Sequence, residues 1–231
     1  MSFFRNRTPR AHAAASAIPP LQVVRSDSHS YEAALAASAS PRVRLVLGYV
    51  NPSANLEQIG RCIARHFPQA KMLLTTTAGE LCSRQAGDAL YLPADGQWQS
   101  MVFQLFDEAL LAGVHIEAVA LACDDIKAGS PVLSHAARIA RLQEHVGRIR
   151  LPFAMRHDEG FVLTLVDGLS NSESYLLEAL YESGKLPYLF VGGSAGGPLD
   201  LSMTRRYDGQ PVRDGHAVFA FNNLAPANRN G

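Results

Sequence analysis

The feature that most constrains this chain is an apolar strand pattern that runs without a spacer into small residues, and that occurs twice. The first copy is Lys71-Met72-Leu73-Leu74-Thr75-Thr76-Thr77-Ala78-Gly79-Glu80-Leu81, and the second is Leu189-Phe190-Val191-Gly192-Gly193-Ser194-Ala195-Gly196-Gly197. In both, a β-type run stops at Thr, Ser, Ala and Gly, residues that leave backbone N–H groups free and let a ligand come close. Laying Ala78-Gly79 on Ala195-Gly196, a separation of 117 positions (195 − 78), brings further segments into line. Strand Val43–Val50 then faces Phe161–Val166, and helix-patterned Ala54–Phe67 faces Ser172–Gly184. Two related β-α-β units are expected from this echo.

A chain of 231 residues, 47% hydrophobic and 18% charged, can bury a real core as one large or two small domains. Its 21 basic and 21 acidic residues balance and are scattered, so no global field recruits nucleic acid or an anionic membrane. Cys62, Cys82 and Cys123 stand far apart with no Cys-x-x-Cys, which argues against a disulfide scaffold and a structural zinc and points to a reducing cytoplasm. No window approaches the roughly 20 uninterrupted apolar residues of a membrane span. Residues 1–20 carry positive charge without a following apolar core and read as a disordered leader. One domain is expected over 21–222, with a frayed tail over 223–231.

Taken in order, the pattern predicts strand Leu21–Arg25, helix Tyr31–Ser38 capped by Asp27 or Ser28, and strand Val43–Val50. Asn51-Pro52 reads as cap and first turn of the next helix, where Leu56, Ile59, Ile63 and Phe67 repeat at helical spacing. After strand Met72–Thr77 comes a polar loop with Gly87, Asp88, Pro93, Asp95 and Gly96, then a hairpin of Trp98–Phe106 and Val114–Leu121. Helix Pro131–Arg148 follows, with Val132, Ala136, Ile139, Ala140 and Val146 inward and Arg138, Arg141 and Glu144 outward. Strand Phe161–Val166 ends at Asp167-Gly168, and Ser170-Asn171-Ser172-Glu173 has the spacing of a capping box. Gly184 stops that helix, and Ser202–Tyr207 with Val212–Phe221 reads as a second hairpin. The fold class is α/β: a mixed sheet built from two related β-α-β units, each followed by an antiparallel hairpin, with helices covering the sheet.

Three strand ends could carry chemistry: Thr75–Glu80, Asp167–Ser170 and Gly192–Gly197. Ligands of open α/β sheets bind at the carboxyl ends of strands, so the pocket candidates are Thr77, Gly79, Glu80, Asp167, Gly168, Ser170, Gly193, Ser194 and Gly196. Gly turns, helix capping by Asp167 and Ser170, and a solvated Glu80 account for the same residues without a ligand. Gly192-Gly193-Ser194-Ala195-Gly196 matches a G-x-S-x-G elbow, and Asp208 or Asp214 with His216 completes the order of a triad. Gly197-Pro198, however, stands where the elbow needs a helix, so a serine hydrolase is the weak alternative. None of the eight histidines lies in a Cys-x-x-Cys-His motif, which excludes covalent haem and leaves a non-covalent one open.

The three motifs Thr76-Thr77-Ala78-Gly79-Glu80-Leu81, Asp167-Gly168-Leu169-Ser170 and Val191-Gly192-Gly193-Ser194-Ala195-Gly196, in this order, resemble the FIST N-terminal domain of prokaryotic signal-transduction proteins. The likeness runs from about Leu21 to Phe221. It implies a cytoplasmic, non-enzymatic sensory domain that binds a small ligand such as an amino acid and passes its state to a histidine kinase or another signalling protein. A subset of the family resembles haem proteins that sense nitric oxide, so haem is the cofactor the resemblance leaves open. Members commonly carry a second, C-terminal FIST domain, which this sequence does not show.

Overall fold

The structure, a computed structural model, describes residues 19–82, 91–92, 99–198, 200, 202–212 and 214–229. Of the expected polar loop, Gly87, Asp88, Pro93, Asp95 and Gly96 lie outside them, as does the leader before residue 19, while Tyr91–Leu92 between them is a short strand. The first half runs β1 (Leu21–Asp27), α1 (Tyr31–Ala37), β2 (Val43–Val50), α2 (Leu56–His66), β3 (Lys71–Thr76), the two-residue β4 (Glu80–Leu81) and β5 (Tyr91–Leu92), and β6 (Ser100–Asp107). The second runs β7 (Leu111–Ala120), α3 (Asp124–Lys127), α4 (His135–Gly147), β8 (Gly160–Asp167), α5 (Glu173–Ser183), β9 (Leu189–Ala195), β10 (Arg206–Tyr207) and β11 (His216–Leu224).

The class is mixed α/β, as expected, but the strands form two principal sheets. One has the order β1-β6-β2-β3-β10 and the other β7-β11-β8-β9. Both β-α-β units are present: β2 runs parallel to β3, and β8 parallel to β9. The first expected hairpin does not form, and the second is reduced to an isolated antiparallel bridge of Tyr207 with Pro211, beside which Val212 N donates to Arg206 O at 3.0 Å. β6 pairs with β1 and β2 while β7 pairs with β11, and β10 pairs with β3 while β11 lies between β7 and β8. Each would-be hairpin therefore sends its two strands to different sheets. The repeat is longer than the sequence echo: β1-α1-β2-α2-β3-β6 and β7-α4-β8-α5-β9-β11 have the same strand order and sense.

The layers follow from strand alternation. Val46 and Val50 of β2 face α1 and α2 together with Ile59, Ile63 and Phe103, while Leu45 and Leu47 face the other sheet. In the second unit Val162, Phe219 and Phe221 face α4 and α5, and Val218 and Ala220 meet Leu45 and Leu47 between the sheets. Helices thus cover the two outer faces of a pair of stacked sheets. Phe103, Phe219 and Phe221 are fully buried, each worth about 1.5–3 kcal/mol in apolar burial.

Several local expectations are corrected. Asn55, not Asn51, caps α2 by accepting from Gln58 N at 3.1 Å. Asn51 is buried instead, and its Nδ2 donates to Gln99 O and Ser28 Oγ, both at 3.1 Å. The capping box does not form: the N-cap of α5 is Ser172 and makes no side-chain cap bond. On α4, Arg138 points inward and binds Asp125 through two bonds of 2.9 and 2.8 Å, while Val132, Ala136 and Ala140 are exposed. An inward arginine is tolerated because its charge is matched by a bidentate carboxylate. The end is not frayed from Asn223: Arg229 pairs with Glu159 at 3.1 Å, and Ala225 N donates to Leu110 O at 2.9 Å.

Candidate functional site

The carboxyl ends of β3, β8 and β9 do converge, and the chain closes most of the space between them itself. Gly196 N donates to Thr76 O at 3.1 Å, and Thr76 Oγ1 donates to Gly196 O at 2.6 Å. A Cβ on Gly196 would lie 2.6 Å from Ala78 N, so only glycine permits this backbone contact. Beside it, a Cβ on Gly168 would lie 2.2 Å from Ala195 O. The two small-residue turns are packed on each other.

Asp167 is the hub behind them, 1% exposed. Its Oδ2 accepts from Lys127 Nζ at 2.8 Å and Gly215 N at 2.6 Å, and its Oδ1 from Thr204 Oγ1 at 2.8 Å and Leu169 N at 3.1 Å. The buried Arg206 guanidinium lies 3.5 Å away. Burial alone would raise this carboxyl's pKa, but those hydrogen bonds outweigh it and hold the group well below the ordinary carboxylate range. Burial pushes the Arg206 guanidinium down, against the nearby charge of Asp167. Glu80 is likewise buried and accepts from Thr77 Oγ1 at 3.0 Å and from Ser100 Oγ. Ser170 is fully buried, and Gly79 has a φ of 137°, a conformation that suits glycine. Neither acid turns its carboxylate to solvent.

Of the expected residues, Gly193 and Ser194 line an open groove of about 170 Å³ between β9 and α5, walled by Leu176, Leu177, Leu180 and Phe190. Its mouth holds one polar pair, in which Ser194 Oγ donates to Glu173 Oε1 at 2.6 Å. Glu173, read from sequence as a capping carboxylate, is the residue that reading missed.

The groove has a cause in the internal repeat. Val50 pairs with Thr76 in one unit, and Val166 with Ser194 in the other, so Leu74 and Gly192 occupy equivalent places, as do Gly48 and Thr164. The Leu74 side chain fills the space above Gly48, where a Cβ would lie 2.5 Å from Leu74 Cδ2. In the second unit Gly192 has no side chain, and the same space stays open beneath α5.

The trio of motifs now has a geometric meaning, namely one buried hub, one backbone junction and one groove, and the family model for the FIST N domain matches residues 44–228. The chain belongs to the FIST N domain family. No curated protein matches it. FIST N domains are sensory domains of signal transduction, and this chain is accordingly a sensory signal-transduction domain.

A hydrolase triad is not assembled in this FIST N domain. Ser194 on β9 and His216 on β11 are separated by the whole of β8, about 9–10 Å at ordinary strand spacing. His145 and His216 share a cleft of about 230 Å³ with Arg148 and Glu117. Their Nδ1 atoms lie 2.8 Å from Ala120 O and 3.0 Å from Asp214 O. Among the described residues no helix is long and apolar enough to cross a membrane.

Proposed function

We propose that the chain is a cytoplasmic ligand-sensing module whose small-molecule site is the groove between β9 and α5. The observation that carries this reading is the vacancy at Gly192, where the matching strand has Leu74, together with the Ser194–Glu173 pair at the mouth. The apolar wall suits a hydrocarbon body, the Glu173 carboxylate suits an ammonium or hydroxyl, and the exposed backbone of Gly193 suits a carbonyl or carboxylate. An amino acid or a similar small amine has that combination. Asp167 and Glu80 serve as supports that hold the strand ends, and they do not touch the ligand.

Transmission runs through the backbone junction. Ser194 is two residues from Gly196, which is bonded to Thr76 at the end of β3 in the other sheet. A ligand that favours one setting of β9 biases that junction and, through it, the surface offered to a histidine kinase or another signalling protein.

Calorimetric titration of the wild type with free amino acids and simple primary amines tests the site. A binder is expected whose affinity falls at least about tenfold, roughly 1.4 kcal/mol, in Glu173→Gln and in Ser194→Ala. Equal affinity in both variants, or no binding of any amine to the wild type, would sink the proposal.

A further inference from the structure

The sequence shows no Cys-x-x-Cys, yet metal ligands need not come from one loop. Cys62 and His66 stand four residues apart on α2, so their side chains project from the same face of the helix. Glu32, in the first turn of α1, reaches the same point from the neighbouring helix. One ligand atom from each of Glu32, Cys62 and His66 lies within 4.8 Å of the others. Ligand atoms on a tetrahedral zinc at 2.0–2.3 Å are roughly 3.5 Å apart, so a small side-chain rotation closes the set. Among the described residues no hydrogen bond occupies the Cys62 sulfur or the His66 ring, whereas Glu32 Oε1 is held by Arg65 Nη1 at 2.9 Å.

We propose that Glu32, Cys62 and His66 form a three-ligand site for a borderline divalent cation of the zinc class, with water completing the coordination. The donor set of one sulfur, one nitrogen and one oxygen suits such an ion better than a hard cation, which prefers oxygen alone. As the metal–sulfur bond forms, the Cys62 S–H bond breaks and the proton leaves to solvent. The thiolate and the Glu32 carboxylate together neutralise the cation, and Arg65 stays on Glu32 as an outer partner that orients it. Binding weakens as pH falls, because the metal must displace the Cys62 proton.

The internal repeat makes the site asymmetric. Ile59 and Ile63 of α2 correspond to Leu176 and Leu180 of α5, which places Ala179 where Cys62 stands and Ser183 where His66 stands. Only the first unit carries the ligands. A bound ion would pin α1, a helix with Leu35 as its one buried residue, to α2.

Cobalt titration of the wild type reads the site directly, because a thiolate ligand produces a charge-transfer band in the near ultraviolet. One cobalt per chain with that band, displaced by added zinc, is expected. The band disappears in Cys62→Ser, stays in Cys123→Ser, and the affinity falls at least about tenfold in His66→Ala. A wild type without the band, or a band that survives in Cys62→Ser, overturns the assignment. If Cys62→Ser fails to fold, the His66→Ala variant decides, since its unchanged cobalt affinity overturns the site equally.

Discussion

The two units answer the same structural question in opposite ways. At the end of β2, Asn51 sends a neutral amide donor to Gln99 O, just before β6; at the end of β8, Asp167 offers a carboxylate to Gly215 N, just before β11. The positions are equivalent in the repeat, and the difference of one nitrogen for one oxygen changes what gathers round them. Asn51 is satisfied by Ser28 and Gln99, whereas Asp167 draws in Lys127, Thr204 and Arg206, and with Thr204 and Arg206 it holds the segment that lays β10 on the edge of β3. Among the described residues one edge is thereby covered and the other is not. Tyr207 packs over α2 at Gly60, where a Cβ would lie 2.4 Å from the ring; the corresponding residue of α5 is Leu177, 61% exposed beside the bare edge of β9. The lesson is that a duplicated framework gains a groove by leaving one copy's filler out.

The strongest way to break this comparison is to remove the charged hub. Asp167→Ala leaves Arg206 buried without its carboxylate and should cost about 3–5 kcal/mol, while Asn51→Ala, a neutral loss, should cost about 1–3 kcal/mol. Urea unfolding midpoints of the two variants measure both, and equal costs would mean that the ionic character of the hub contributes nothing. The pH dependence has a definite sign. The folded Asp167 carboxyl lies below its unfolded value, so its contribution is fully present above about pH 4 and is lost as pH falls through the folded value. Wild type and Asp167→Asn should therefore differ by a constant amount between about pH 5 and 7 and converge below about pH 4.

A second test acts on the covered edge. Gly60→Leu copies the α5 residue onto α2, drives a side chain into the Tyr207 ring and should destabilise by about 1–3 kcal/mol, offset by up to ~1 kcal/mol of helix propensity. Protection of the Arg206 and Tyr207 amides from hydrogen exchange should fall in this variant. Unchanged protection would show that β10 does not depend on the glycine.

The parts of the fold that were legible in the sequence are those set by local pattern. Val43–Val50 is found with the same bounds, and Leu56, Ile59, Ile63 and Phe67 are all buried, because the alternation of strands and the helical repeat are short-range signals. The partition into two sheets was not legible, since adjacency in sequence suggested hairpins where the strands part company at Asp107–Leu111 and Tyr207–His216. Charge misled in the same manner: Arg138 reads as solvated until Asp125, outside its helix, is seen to neutralise it. Of the candidate site, the convergence of strand ends was readable from Thr77, Gly193 and Ser194, but the partner of Ser194 was not. Glu173 reaches it from the first turn of α5, beside the groove at Gly192, a relation that exists in three dimensions alone.

The smallest expected effect is the most discriminating for the groove, since it compares two adjacent glycines. A Cβ on Gly192 would lie 1.8 Å from Thr164 O, with a φ of 158°, whereas one on Gly193 meets nothing within 4 Å. Gly192→Ala must therefore push β9 off β8 and should cost about 2–3 kcal/mol, in the range of other strained backbone positions. Gly193→Ala needs no such movement. By restricting the unfolded chain it should stabilise the protein by about 0.4–1 kcal/mol, while its methyl projects into the open space where a ligand carboxylate would meet the backbone. A more stable Gly193→Ala protein with weakened amine binding would separate the fold requirement at 192 from the binding role at 193. A Gly193→Ala protein as unstable as Gly192→Ala would instead mean that both glycines serve only the close packing of β9 on β8.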